Sequence, residues 1–142
     1  LFNHESPRRG MTFVTRKVTR AVAAIVAGRQ KELLLGNLEP RRDWGYAPEY
    51  VEGMQLMLQH DEPEDFVLAT GTSHSLEEFV SRIFAILGMD WKEHVRIKES
   101  FFRPSDIKYS RGNPEKAREK LNWQAHTQFP ELLERLIAAE ID

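Results

Sequence analysis

Cysteine is missing altogether from this 142-residue chain. No disulfide and no thiolate metal site can therefore hold it together, which fits a reducing compartment such as the cytosol. No apolar run approaches the roughly 20 residues that a bilayer-spanning helix needs, so a membrane is not an expected partner. A surplus of positive charge is also lacking: 20 Lys and Arg stand against 22 Asp and Glu, a net charge of -2. Surfaces that track nucleic acid usually carry a marked basic excess, so nucleic acid is not expected either. The histidines at 4, 60, 74, 94 and 126 show no metal-ligand spacing. Leu1-Phe2 opens the sequence with neither the basic stretch nor the apolar core of a secretory signal.

Two further absences concern chemistry. The eight glycines never fall three apart, which excludes a glycine-rich dinucleotide-binding fingerprint within these residues. The tyrosines at 46, 50 and 109 are followed four positions later by Tyr50, Met54 and Asn113, so there is no Tyr-x-x-x-Lys pair.

What is present suits a globular α/β chain. Hydrophobic residues make up 41% and charged residues 30%, enough for one domain with a real core. A segment belonging to a larger fold would also expose surfaces meant for the remainder. Charge is unevenly spread: residues 8–42 hold Arg8, Arg9, Arg16, Lys17, Arg20, Arg29, Lys31, Arg41 and Arg42 against only Glu32 and Glu39, whereas 61–65 is acidic. A local anion site is one reading of the basic stretch; a solvated helix face is the other.

Apolar spacing predicts a helix over 12–27 stopped by Gly28, a short strand at 33–35, and a charged loop over 39–46. A second helix over about 48–59 starts at Pro48 and is expected to bury Tyr50, Val51, Met54, Met57 and Leu58 on one face, its methionines as core filler. Phe66–Ala69 reads as a buried strand. Ser75 and Glu78 have capping-box spacing at the head of a helix ended by Gly88. Val95 and Ile97 alternate with Arg96 and Lys98 as a half-exposed strand that delivers Phe101-Phe102-Arg103-Pro104. Asn113-Pro114 begins a short helix to Leu121 with Trp123 packed beside it. A last helix covers about 128–140, with Thr127 as its cap.

Candidate chemistry concentrates in Asn3-His4-Glu5-Ser6-Pro7-Arg8-Arg9-Gly10 and the helix start that follows. Arginine forks match phosphate oxygens, and free N–H groups at a helix start favour anions. Asn3 can donate and accept toward a sugar or phosphate, or serve as a turn residue; His4 can be a ligand contact or a satisfied core histidine. Lys17 lies one turn inside the helix. Arg42 sits between Arg41 and Asp43-Trp44, where the alternative to phosphate binding is a surface ion pair with a packed indole. Arg103 precedes Pro104, which favours extended backbone and fixes the direction of its side chain.

This string, together with Leu35-Gly36-Asn37-Leu38, Arg42-Asp43-Trp44-Gly45 and Arg103-Pro104, resembles the GDP-mannose 4,6-dehydratases, extended short-chain dehydrogenases/reductases. The likeness runs nearly the whole chain, as far as the Trp123 region. It implies the C-terminal, nucleotide-sugar-binding portion of an extended Rossmann-type α/β enzyme, residues 1–142, with the cofactor-binding portion and the catalytic residues upstream. In that family hydride leaves sugar C4 for NADP, water is eliminated across C5 and C6, and hydride returns to C6. The resemblance assigns His4 and Arg9 to NADP, on the same or a neighbouring subunit, and Asn3, Lys17, Arg42, Arg103 and Asp106 to GDP-mannose. It further implies that Asp43 holds the Arg42 guanidinium, that Trp44 anchors the loop, and that the full-length enzyme is a dimer or tetramer. Asp106 stands where glutamate is typical, Asn113 where aspartate is usual, and Met11 where glutamate is common. The chain alone should be inactive. Another nucleotide-sugar epimerase or dehydratase, or a non-catalytic binding or assembly module, are the alternatives; the Arg42-Asp43-Trp44-Gly45 string disfavours the former.

Overall fold

The computed structural model describes residues 1–141 as helices packed around three short ladders. The elements run β1 (Asn3–Glu5), α1 (Val14–Val26), β2 (Leu33–Leu35), β3 (Arg41–Arg42), β4 (Trp44–Tyr46) and α2 (Ala47–Gln59) in the first half. They continue with β5 (His74–Ser75), α3 (Leu76–Ile86), α4 (Trp91–His94), β6 (Val95–Ile97), α5 (Glu115–Leu121) and α6 (Phe129–Ile141), with a 3₁₀ turn at Glu99–Phe101. β1 pairs in parallel with β4, β2 in parallel with β6, and β3 antiparallel with β5. Parallel partners so far apart in sequence need a crossover, and α1 and α3 supply the cover such ladders require.

The main core joins α1, α3 and α6. Val18, Val22 and Ile25 of α1 meet Phe79, Ile83 and Phe84 of α3 and Leu132, Leu133 and Ile137 of α6, closed below by Leu33 and Leu35. The three-and-four spacing read from 12–27 gives this buried stripe, and Gly28 ends the helix at φ +70°, a left-handed conformation that glycine adopts without a Cβ clash. Ser75 Oγ accepts from the Glu78 backbone N–H at 3.0 Å, as the capping spacing predicts. The Glu78 carboxylate does not return the bond to the cap; it takes His74 Nδ1 at 3.0 Å and Arg82 Nε at 3.1 Å instead. Asn113 Oδ1 caps α5 through the Glu115 N–H. A second, smaller core gathers Tyr50, Leu68, Ala117, Leu121 and Trp123.

Four sequence expectations are corrected. Residues 41–42 and 44–46 are strands rather than loop, because their partners come from residues 3–5 and 74–75, which no local charge pattern reports. Phe66–Ala69 is not a strand: Leu68 and Ala69 are buried, but beside the β1 end the segment makes the bond Phe2 N–H to Leu68 O and no ladder. α2 turns Tyr50 and Gly53 inward, whereas Val51, Met54 and Leu58 are 63%, 45% and 88% exposed. Gly53 allows this, since a Cβ there would come within 2.7 Å of Leu68, so the helix approaches through its smallest residue. Thr127 does not cap α6; its hydroxyl donates to Glu49 Oε1 at 2.7 Å and its N–H to the same oxygen.

Asp43 is fully buried between β3 and β4, and does not hold Arg42. Its carboxylate accepts from Thr70 N–H, Thr70 Oγ1, Gly71 N–H and Gly112 N–H, at 2.7–3.2 Å. Three backbone amides and a hydroxyl offset the cost of burying that charge. Asp43→Ala, which leaves those donors without an acceptor, should lower unfolding free energy by about 3 kcal/mol in urea titration, against under about 1 kcal/mol for an exposed control such as Glu62→Ala.

Glu64 fastens the acidic turn to α5. Lys120 foremost, then Lys116, hold its carboxyl down at about 2, against a weaker opposing effect of burial. A carboxyl depressed in the fold contributes stability that is full above its unfolded value near 4.5 and is lost as pH falls toward 2. Glu64→Gln should therefore flatten the stability profile between those values relative to wild type, measured by thermal melts across pH.

Candidate functional site

A cavity of about 860 Å³ opens between the 6–13 loop, the start of α1, the end of β2, β3, and the 101–106 segment. Six of the seven residues singled out in the sequence line it: Asn3, Arg9, Lys17, Arg42, Arg103 and Asp106. His4 does not. Successive strand residues point to opposite faces, so β1 sends Asn3 and Glu5 to the cavity and His4 behind it. There His4 Nδ1 bonds the Phe2 carbonyl at 2.8 Å and its ring stacks on Tyr50 at 5.4 Å.

The cations reach the cavity from four separate segments and are differently committed. Lys17 Nζ donates to Leu34 O at 2.9 Å and stands 5.1 Å from the Phe101 ring centre. Arg42 donates through Nη1 to Ile107 O at 2.6 Å and Arg41 O at 2.9 Å, and through Nη2 to Asp106 Oδ1 at 2.9 Å. Arg42 and Asp106, read from sequence as two separate ligand contacts, are thus an ion pair with each other. Backbone bonds Arg41 N–H to Lys108 O and Ser110 N–H to Arg41 O continue the attachment. Arg42 fastens to β3 the segment that carries Arg103. Arg103 itself is exposed at the rim and has no hydrogen-bond or ion-pair partner among the described residues. Arg9 lies with its guanidinium 3.7 Å over the Phe13 ring and its Nε 3.4 Å from Glu5 Oε2.

Among the lining residues that sequence reasoning did not assign to the site, Glu5 and Phe101 shape it most directly. Glu5 is 1% exposed and accepts the Thr15 hydroxyl at 2.7 Å. Burial pushes its carboxyl above the ordinary range, outweighing the lowering effects of Thr15, Arg9 and His4. Period-two alternation from Asn3 was the signal that could have found it. Phe101 forms part of the wall where the 3₁₀ turn meets the end of β2; a Cβ on Gly36 would fall 2.8 Å from Phe101 O, so only glycine permits that approach. Met11, where the sequence departs from the family pattern, offers its sulfur to Arg20 Nη1 at 3.0 Å. The thioether is a weak, neutral acceptor for that guanidinium.

Three arginines and a lysine around one concave surface form an anion-binding arrangement of the kind phosphate esters fill. Residues 1–136 match the family profile described as GDP-mannose 4,6 dehydratase. The chain belongs to the GDP-mannose 4,6-dehydratase family. It is 47% identical to the GDP-mannose 4,6 dehydratase of Dictyostelium discoideum, over all of this chain and 45% of that protein. Against GDP-mannose 4,6 dehydratase 1 of Arabidopsis thaliana the figures are 46% identity, all of this chain and 39% of the relative; against the Homo sapiens protein, 45%, all and 43%. The chain therefore spans less than half the length of the curated relatives it matches. Its fold is similar to RMD from Pseudomonas aeruginosa, solved with NADPH, at a TM-score of 0.88 and 17% identity over 98% of this chain and 46% of that one. A dTDP-glucose 4,6-dehydratase from Bacillus anthracis, solved with NAD, gives a TM-score of 0.82 at 17% identity, over 97% of this chain and 42% of the other. These likenesses place the chain in the α/β fold of extended dehydratases and epimerases.

Arg42→Ala removes the two hydrogen bonds that hold residues 106–107 to β3. Trypsin cleavage after Lys108 should accelerate on the order of tenfold, with little change in thermal midpoint, as the segment opens locally without global unfolding. Unchanged cleavage would mean the segment is held by its backbone bonds alone.

Proposed function

We propose that residues 1–142 form the nucleotide-sugar-binding portion of an enzyme that converts GDP-mannose to GDP-4-keto-6-deoxymannose, working in the cytosol as a dimer or tetramer. The observation that carries this reading is the convergence of Arg9, Lys17, Arg42 and Arg103 on one cavity in a chain of this family. A pyrophosphate carries two negative charges, and guanidinium groups from separate loops fix its direction as well as its charge. Arg103, at the rim and without a partner among the described residues, is placed to close on it. Arg42 acts from below, exchanging one of its bonds to the 106–107 segment for a phosphate oxygen. Lys17 adds a point charge whose place is set by the Leu34 carbonyl. Asn3 meets the sugar or ribose with one donor and one acceptor, and Asp106 accepts from a ribose hydroxyl once Arg42 turns to phosphate.

NADP supplies a hydride acceptor and donor when bound. The residues here suit part of it: the Arg9 guanidinium makes an ion pair with Glu5 at 3.4 Å but no side-chain hydrogen bond among the described residues, its buried Nε included, so it retains donors for a phosphate ester. His4 packs behind β1 and holds the strand end against Tyr50, supporting a cofactor contact by position rather than by a ring aimed into the cavity. No glycine-rich cradle lies within this sequence, so its residues position and clamp, and the proton transfers belong to groups outside it.

Two measurements test the reading. In the full-length protein, Arg103→Ala and Arg42→Ala should each weaken GDP-mannose binding by about 1–3 kcal/mol in calorimetry, the worth of a charge-assisted hydrogen bond. The 142-residue chain by itself should form no keto sugar from GDP-mannose and NADP. Undiminished binding in both variants, or turnover by the chain alone, would overturn the assignment.

A further inference from the structure

Glu5 is a buried carboxylate that the substrate clamp does not use, yet it lies on the cavity wall. Burying an ionisable group costs free energy unless partners offset it, and the partners here are specific. Thr15, in the first turn of α1, donates its hydroxyl to Oε2 at 2.7 Å, and Arg9 brings its Nε edge to the same oxygen at 3.4 Å. Phe13 covers the guanidinium at 3.7 Å. No acidic residue stands in the first turn of α1, and Phe13 provides no side-chain cap, so the negative charge near that helix start comes from β1. A guanidinium has three edges and two faces. Glu5 stands at the Nε edge as an ion-pair partner, without a hydrogen bond to the Nε–H, and Phe13 lies over one face, which leaves the paired Nη edge without a partner among the described residues.

We propose that Glu5 is a positioning residue, whose buried carboxylate, oriented by Thr15, turns the open Nη fork of Arg9 toward a phosphate ester in the cavity. This rests on the function proposed above, and the phosphate belongs either to the nucleotide sugar or to the dinucleotide. Without the carboxylate, Arg9 keeps its charge but samples many rotamers, and its bidentate grip is lost to that freedom.

The experiment uses the full-length protein, with GDP and NADP as separate calorimetric probes. Glu5→Gln is nearly isosteric and still accepts from Thr15. It should weaken one of the two probes on the order of tenfold, about the worth of one charge-assisted hydrogen bond, and leave the other within twofold. The affected probe identifies the phosphate that Arg9 meets. Arg9→Ala should weaken the same probe, and Glu5→Gln should add less than about twofold to it, the non-additivity of residues acting as one unit. Thr15→Val, which removes the orienting hydroxyl and keeps the volume, should weaken that probe about threefold and keeps the test open if the Gln variant fails to fold. Affinities unchanged by Glu5→Gln or Thr15→Val, equal losses for both probes, or a full additive loss in the double variant would each overturn the proposal for Glu5. A wild-type protein that binds neither GDP nor NADP would overturn the functional reading and this one together.

Discussion

Four hydrogen bonds converge on one buried carboxylate, that of Asp43, and the cavity owes its shape to them. Asp43 lies between β3, which carries Arg42, and β4, which pairs with the strand carrying Asn3 and Glu5. Its acceptors draw the 70–71 turn and the backbone at Gly112 onto the same point. The approach at Gly112 is close: a Cβ there would fall 2.3 Å from the Ala69 Cβ. Charge and close approach reinforce each other, since donors reach the carboxylate only because glycine lets the chain in. Trp44, next along, buries its indole against Phe79 and Phe129, so the residue that follows the anion joins the main core. A strand pair of two or three residues cannot hold itself in water, and these anchors supply what the ladders lack.

Arg42 shows how that framework divides labour among the cations. Its backbone belongs to β3 and its guanidinium to the segment at 106–107. The exposed part of the wall, which delivers Arg103, is thus tied to the strand next to the buried Asp43 carboxylate. Arg9 is tied in another way, through a carboxylate at its Nε edge and an aromatic ring at its face. Among the described residues no side chain ties Arg103, and Pro104 sets its backbone preference. One cavity therefore holds guanidinium groups at three degrees of preorganisation, which suits a site that must both recognise a ligand and close on it.

Much of this was legible in the residues. The spacing of Val14, Val18, Val22 and Ile25 gave α1, the Ser75–Glu78 interval gave the cap of α3, and the order of the arginine-bearing strings pointed to a shared anion site. What escaped was decided between distant segments. Residues 41–46 look like a charged loop because Asp43 is neutralised by amides some 27 to 69 positions away in sequence. The inward face of α2 was misjudged because Gly53, not its large apolar neighbours, marks the line of closest packing. Asp43 was paired with the nearest arginine by proximity in sequence, whereas the backbone offered it better donors. Glu5 went unread because a carboxylate among arginines looks like surface charge until strand alternation puts it beside Asn3.

The ladder between β1 and β4 spans three residue pairs, and every second side chain of β1 enters the cavity. Sliding that pairing by a single residue would bring the imidazole of His4 inside and expel both the amide and the carboxylate. So short a ladder cannot guard its own register. The guard is Tyr50, whose ring fills the space a Cβ of Gly45 would need, within 2.4 Å, and stacks on His4 from behind. An aromatic ring that does not line the cavity thereby keeps the pocket's inventory of functional groups in order, and insertions or deletions between Leu1 and Glu5 are the changes this architecture can least absorb.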